Sequence, residues 1–353
     1  MKNISNMNTF NRIYSAVFSV AILLLLISFI SSSGLSLSTI STNFRWRKNL
    51  IEMYTSFRFK IGDRLYSESV VGKDGWIFYT GDRSMGEYQK TDPFRKKKLS
   101  DLQKNLDRLN KDLRKKGITL IVVIPPDKST IYPQYMPGEI SVLGEKSRLD
   151  QFVEFMNLNG GVSVIDLRQT LLNASQSQDV YFKTDTHWND MGAYYGYMEI
   201  MESLSSDYPN LKPHPLSDFE YRYVGDSTRD IPLLMGFQNF KEENRRLFPK
   251  FKVDLEETSS VLYYGADSTR IVTNSDIRLP KLLVFHDSFY RSLSRFIEPH
   301  FGRVMAVPWT DKVGVWSLDW IQRENPDIVI IEVVERYLDN SLPELFDNQV
   351  KQP

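Results

Sequence analysis

A chain of 353 residues with 44 Lys plus Arg against 44 Asp plus Glu has no net charge, so its balance gives no footprint for nucleic acid. It contains no cysteine, which excludes disulfides, thiolate nucleophiles and Cys-ligated zinc. The length suffices for one large α/β domain or two smaller ones with a sizeable core, and 13% aromatics suit sugar stacking as well as core packing.

Lys2 and Arg12 precede an apolar block over residues 13–30, centred on Ala21-Ile22-Leu23-Leu24-Leu25-Leu26-Ile27. About 18 residues is the lower end of a membrane span and longer than most signal-peptide cores. Ser31-Ser32-Ser33-Gly34 is not a clean small-x-small cleavage site, and positive charge ahead of the block favours the N-terminus inside. We read residues 1–35 as a cytoplasmic stub and a single-pass membrane anchor, with a cleaved signal as the alternative. Both place the rest of the chain outside the cytoplasm. Residues 36–50 read as a polar tether, 51–340 as the main domain and 341–353 as a tail.

Residues 50–59 have mixed apolar spacing, compatible with a short helix near the membrane. Val70-Val71-Gly72-Lys73-Asp74-Gly75-Trp76-Ile77-Phe78-Tyr79 predicts a hairpin, because Asp-Gly tolerates the positive φ of a tight turn. Leu99, Leu102, Leu106, Leu109 and Leu113 form one apolar stripe of a helix that Gly117 can stop. Residues 118–124 then read as a buried strand closed by Pro125-Pro126. The alternation continues with a helix near 145–157, strand 162–165, helix 189–204, strand 281–285, helix 289–297, strand 303–307, helix 314–323 and strand 327–332. Wholly apolar strands between amphipathic helices predict a doubly wound, mostly parallel α/β sheet. Residues 208–278, with Pro209, Pro213, Pro215 and Pro232, break the rhythm and read as an irregular insertion bordering the active site.

Two stretches carry the chemistry. Tyr181-Phe182-Lys183-Thr184-Asp185-Thr186-His187-Trp188-Asn189 holds one of four histidines, two residues after a carboxylate. The strand 281–285 runs into His286-Asp287-Ser288, which places a serine where open α/β sheets bind ligands and where helix N–H groups can face an oxyanion. Ser288 is the candidate nucleophile, His187 its base and Asp185 the group that orients the imidazole. Ser227 and Ser268 also follow Asp, but neither trails a buried strand, so polar turns explain them better. His214 and His300 read as structural. His286 either lines the site or packs the turn. Asp185, His187 and His286 would allow a metal, yet no helical His-x-x-x-His pair supports one, and neither metal nor cofactor is expected.

These residues resemble a known pattern. Thr184-Asp185-Thr186-His187-Trp188-Asn189 with Gly192 resembles the Asp-x-His-Trp motif of alginate O-acetyltransferases of the AlgJ/AlgX kind. Gly72–Tyr79 is similar to their opening hairpin, Ile124-Pro125-Pro126-Asp127-Lys128 with Tyr132-Pro133 to a Pro-x-Lys…Tyr-Pro loop, and Gly225-Asp226 to a short Gly-Asp motif. His286-Asp287-Ser288-Phe289 falls at the family's nucleophile, and Glu332-Val333-Val334-Glu335-Arg336 resembles its closing segment. Gly is common in the family where His286 precedes Asp287-Ser288 in this sequence.

The resemblance implies an SGNH-hydrolase-like three-layer sandwich with permuted motif order, in which Asp and His precede Ser. It also implies acetyl transfer to hydroxyls of an exopolysaccharide through a Ser288 acyl-enzyme. Trp188, Asn189, His286, Lys128, Tyr132 and Arg336 would line the site or bind substrate. A membrane-bound O-acyltransferase would supply acyl groups to an enzyme on the inner membrane with its domain in the periplasm. A carbohydrate esterase and a non-catalytic polysaccharide-assembly protein remain as alternatives.

Overall fold

The computed structural model describes residues 47–260, 269–309, 318–339 and 342, with isolated positions 15, 18–20, 22 and 23 of the apolar block. Apart from those positions, the expected anchor over 13–30 lies outside the described residues. Among the described residues no helix is long and apolar enough to cross a membrane. Two compact units divide the chain, Met1–Tyr54 and Thr55–Pro353. Helix α1 (Arg47–Lys60) begins inside the stretch expected to be a polar tether.

In the second unit, β1 (Ser69–Val71) and β2 (Ile77–Tyr79) form the expected hairpin. Asp74 and Gly75 both take positive φ (53° and 83°), and the Trp76 N–H closes the turn on the Lys73 carbonyl at 2.9 Å. Two successive left-handed residues match the strand twist, which is why Asp-Gly is chosen here. After α2 (Ser84–Gln89) comes α3 (Lys96–Arg114), whose five stripe leucines are all buried. It ends in paired bonds from Gly117 N–H to Arg114 O and Ile118 N–H to Leu113 O, with Gly117 at φ 74°.

The main sheet is seven strands in the order β4-β3-β11-β9-β10-β8-β7. Parallel pairing joins β4 (Ser163–Asp166), β3 (Thr119–Ile124), β11 (Ile328–Glu332), β9 (Lys281–His286) and β10 (Arg303–Pro308). Leu120, Val122, Leu283, Phe285, Val329 and Ile331 face one layer, packing with residues of α3, α5 (Arg148–Asn159) and α10 (Leu318–Glu324). Ile121, Val123, Leu282, Val284, Ile328 and Ile330 face the other, with α6 (Arg168–Ser175), α7 (Asp190–Ser205) and α9 (Tyr290–Ile297). Both faces are covered, so the strands need apolar residues at every position rather than at alternate ones. The short α4 (Lys128–Ile131) follows β3 directly.

Residues 208–278 depart from the sequence expectation. They hold a two-stranded ribbon of β5 (Phe219–Thr228) and β6 (Lys241–Pro249), the short α8 (Asp230–Met235), and two antiparallel strands, β7 (Leu255–Ser260) and β8 (Thr269–Asn274), that extend the main sheet at its β10 edge. These strands are polar because one face or an edge meets solvent. Their pattern therefore lacks the apolar run that announces a buried strand.

Leu106→Ala deletes a fully buried side chain of α3. It should lower the unfolding free energy by about 3 kcal/mol in urea denaturation, whereas exposed Lys104→Ala should stay within about 0.5 kcal/mol.

Candidate active site

The adjacent parallel strands β3, β11 and β9 deliver their carboxyl ends to one edge. Asp287-Ser288 follows β9, Pro125–Lys128 follows β3, and the 333–336 segment follows β11. The loop of residues 182–187 reaches the same place from the connection between α6 and α7. It is pinched at its base by the Tyr181–Trp188 bridge and by Asn189 N–H to Val180 O at 3.1 Å.

Inside that loop almost nothing is regular, so each backbone polar group needs its own partner. The buried Lys128 ammonium donates to the carbonyls of Phe182 (3.2 Å), Lys183 (2.8 Å) and Asp185 (2.7 Å). Glu242 of β6 accepts the N–H groups of Lys183 (2.7 Å) and Thr184 (3.0 Å). Asp230, which opens α8, accepts the Thr186 N–H at 2.8 Å. Asp185 itself accepts the His187 N–H at 3.0 Å.

Thus held, the loop aims His187. Its Nδ1 lies 2.7 Å from Asp185 Oδ1, and its Nε2 lies 2.7 Å from Ser288 Oγ. Thr186 Oγ1, 3.1 Å from Nδ1, donates its proton to Asp230 Oδ2, so it can only accept from the ring. Nδ1 is therefore the protonated nitrogen and Nε2 offers its lone pair to the serine hydroxyl, the arrangement a general base requires. Burial alone would raise the Asp185 carboxyl, but the His187 hydrogen bonds and charge hold it below its ordinary value. Asp230 moves the other way, raised by burial and then by the neighbouring Asp185 charge.

Ser288 is exposed, and among the described residues no acceptor faces its N–H. The next amide, Phe289 N–H, is taken by Asp287 Oδ1 at 2.8 Å, so the helix end offers one fewer oxyanion donor than expected. The other Asp287 oxygen accepts Val334 N–H at 2.7 Å, and Glu332 Oε2 accepts Asp287 N–H at 2.9 Å. The nucleophile turn is thereby tied to β11. Burial, and then the Asp287 charge, push the Glu332 carboxyl well above the ordinary range.

The structure brings Asp185, His187 and Ser288 together, and each of the six further candidates is bonded within the protein around them. Trp188 is buried, with its indole N–H on Phe289 O at 3.1 Å. Asn189 caps α7 through the N–H groups of Met191 and Gly192. Tyr132 is buried against Trp76 and accepts Val180 N–H at 2.8 Å. Arg336 is buried, bonded to Asp127 at 2.5 Å and placed over the Phe289 ring. His286 turns its Nδ1 to Asp287 O and packs on Tyr290. Lys128 binds the loop rather than solvent. Each of these side chains thus has at least one partner inside the protein.

Sequence reasoning missed Asp230 and Glu242. Asp226 of the expected Gly-Asp motif instead sits on the ribbon, accepting from Tyr223 OH at 3.0 Å. The one local signal for Asp230 is its place two residues before Pro232, an acid opening a helix. Ser227 lies in β5 opposite Glu242, and Ser268 lies outside the described residues. As for metals, the potential ligand atoms of Asp185, His187 and Asp230 lie within 4.8 Å of one another. Two carboxylates about one protonated ring nitrogen serve to orient an imidazole, and His286 takes no part in the cluster.

Residues 70–263, more than half of the chain, match the family described as SGNH hydrolase-like domain, acetyltransferase AlgX. Ser288 lies beyond that span. A probable alginate O-acetylase, AlgJ of Pseudomonas syringae pv. tomato, is 26% identical over 304 residues, 81% of this chain and 73% of that protein. The fold is similar to Bacillus cereus PatB1 solved with a sulfonyl adduct (16% identity, TM-score 0.57, 77% of this chain and 97% of that one). It is also similar to a DHHW family protein of Eubacterium siraeum (14% identity, TM-score 0.58, 80% and 96%).

Two predictions follow from the loop. Burial brings Lys128 from 10.5 down to about 8 despite the opposing charges of Asp185, Asp230 and Glu242. Between those pH values the unfolded chain binds more protons than the folded one, so this group's contribution to stability rises with pH across the window. Lys128→Met removes that slope, and the gap in unfolding free energy between wild type and variant should widen from pH 8 to 10.5 in urea titrations. For the second, labelling of Ser288 by an organophosphonate, followed by intact mass, should slow about tenfold in Asp230→Ala and on the order of a thousandfold in Asp185→Asn. Wild-type labelling in Asp230→Ala would remove that carboxylate from the site.

Proposed function

The chain belongs to the AlgX family of SGNH hydrolase-like acetyltransferase domains, and from that premise we propose that it is an O-acetyltransferase acting on hydroxyls of an exopolysaccharide. The observation that carries this reading is the unbroken line Asp185–His187–Ser288, with 2.7 Å at each step. His187 Nε2 takes the Ser288 proton as Oγ attacks the acyl carbonyl, and Asp185 stabilises the imidazolium that forms. The Ser288 N–H supports the oxyanion. His187 returns the proton to the leaving group of the donor, leaving an acetyl-serine. A sugar hydroxyl, deprotonated by the same nitrogen, then takes the acetyl group and frees the serine.

On this reading residues 13–30 anchor the protein in the inner membrane and the domain works in the periplasm. Acetyl-CoA is confined to the cytoplasm, so the donor group arrives through a membrane-bound O-acyltransferase partner. Exposure of Ser288 also admits water, and this observation favours a carbohydrate esterase as the second reading.

The full chain in detergent, given a chromogenic acetyl ester with an oligosaccharide acceptor, should yield acetylated oligosaccharide by mass spectrometry. The product should vanish in Ser288→Ala while the circular dichroism spectrum is unchanged. Acetate release indifferent to acceptor would replace the transferase with the esterase. Absence of both turnover and organophosphonate labelling would leave a non-catalytic assembly protein.

A further inference from the structure

The nucleophile turn rests on two carboxyl groups that meet in the interior. Glu332 ends β11 beside β9 and is fully buried, and Asp287, one residue ahead of Ser288, is buried as well. Their hydrogen bonds differ. Asp287 receives an amide on each oxygen, Phe289 N–H at 2.8 Å on Oδ1 and Val334 N–H at 2.7 Å on Oδ2. Glu332 receives only the Asp287 N–H, at 2.9 Å on Oε2. Its Oε1 is buried, and no donor among the described residues reaches it.

Two adjacent buried carboxyls do not both ionise, because each charge raises the cost of the other. The amides decide which one does. Hydrogen bonds from N–H groups favour the charged form, and Asp287 holds two of them against one for Glu332. Oε1 decides the rest. As half of a carboxylate it would be a buried acceptor left without a donor, which is costly. As the hydroxyl of a neutral acid it is itself a donor, and the Asp287 carboxylate is within hydrogen-bonding reach.

The surrounding charges agree. Asp287 acts on Glu332 from the turn after β9, Tyr290 from α9 and Arg336 from the segment after β11. His286 is turned to the Asp287 carbonyl and the Tyr290 ring, and the neighbours Val123 on β3 and Trp309 after β10 carry no charge. Arg336 is the one cation in this group. Its Nη1 is bonded to Asp127 and its Nε has no acceptor, so it makes no ion pair with Glu332. Burial, and then the Asp287 charge, outweigh its pull on the Glu332 proton.

We propose that Glu332 is a positioning residue for Ser288 and that it acts as an uncharged acid. Oε2 accepts the Asp287 amide and Oε1–H donates to the Asp287 carboxylate, and this double contact fixes the turn from which Ser288 and its N–H emerge. An ionised Glu332 would set two negative charges against each other directly behind the nucleophile. The catalytic consequence rests on the reading of Ser288 as the nucleophile, and the consequence for folding does not.

Glutamine reproduces the uncharged acid, with an amide oxygen for Oε2 and an N–H for Oε1–H, and it never ionises. A carboxyl held neutral in the folded chain ionises around its ordinary value of 4.5 once unfolded. Above that pH the folded chain binds the extra proton, so this group's contribution to stability falls as pH rises. Urea denaturation of full-length wild type and Glu332→Gln should therefore show the variant gaining on wild type from pH 5 to 7, by about tenfold in the unfolding constant per pH unit. Organophosphonate labelling of Ser288, read by intact mass at pH 7, gives the second readout. Glu332→Gln should label within about twofold of wild type, and Glu332→Ala, which strips both contacts, about tenfold more slowly.

A Glu332→Gln protein that loses stability against wild type as pH rises would reveal an ionised Glu332 and overturn the proposal. Labelling of Glu332→Gln as slow as that of Glu332→Ala, or of Glu332→Ala as fast as wild type, overturns it too. No labelling of wild type, with the stability difference intact, would discard Ser288 as a nucleophile and the acyl-transfer reading with it, and would retain the acid pair.

Discussion

One buried ammonium holds this site together. Lys128 leaves β3 at its carboxyl end and places its three donors on three carbonyls of a loop that has no ladder or helix to satisfy them. Removing such a partner strands several buried acceptors at once, and each would cost about 1–3 kcal/mol. With Glu242 and Asp230 receiving the loop's amides, an irregular segment acquires the rigidity of a packed element. That rigidity is what allows His187 to sit within hydrogen-bonding distance of both partners rather than sampling the solvent in front of them.

The nucleophile side is held by the same logic from a different strand. Asp287 is spent on two amides, and Glu332 reaches from β11 to the Asp287 amide, so Ser288 emerges from a turn fixed at both ends. Around it lies an excess of buried acid. Glu335, pushed up to about 8 by burial and then by Asp127, accepts the Asp127 amide and the Thr130 hydroxyl. Arg336 lies between Asp127 and the Phe289 ring. Acids that remain protonated at neutral pH can share this space because they add no charge to it. The carboxylate that must be ionised, Asp185, is the one given the imidazole and the nearby ammonium.

This division explains why the six further candidate residues all have partners inside the protein. A motif such as Asp-x-His-Trp is held together by the demand for a fixed imidazole, and most of its members meet that demand from behind. Trp188 joins the histidine loop to the nucleophile turn through Phe289, and Asn189 begins the helix that carries the loop's far end.

The sequence by itself determined the alternation of strand and helix, the hairpin at Asp74-Gly75, the leucine stripe of α3 and the candidate trio Asp185, His187 and Ser288. Those properties are written at spacings of two to four residues, where strand and helix periods and turn preferences act. The polar strands β5 to β8 escaped because an edge or half-exposed strand lacks the apolar run of a doubly covered one. Only the tertiary structure decided the strand order, the antiparallel edge and the identity of the groups that hold His187. Asp230 lies 44 residues from the amide it caps, Glu242 58 or 59 from its two, and Lys128 54 to 57 from its three carbonyls. Satisfying a buried polar atom is a condition on positions in space, and it imposes no period along the chain.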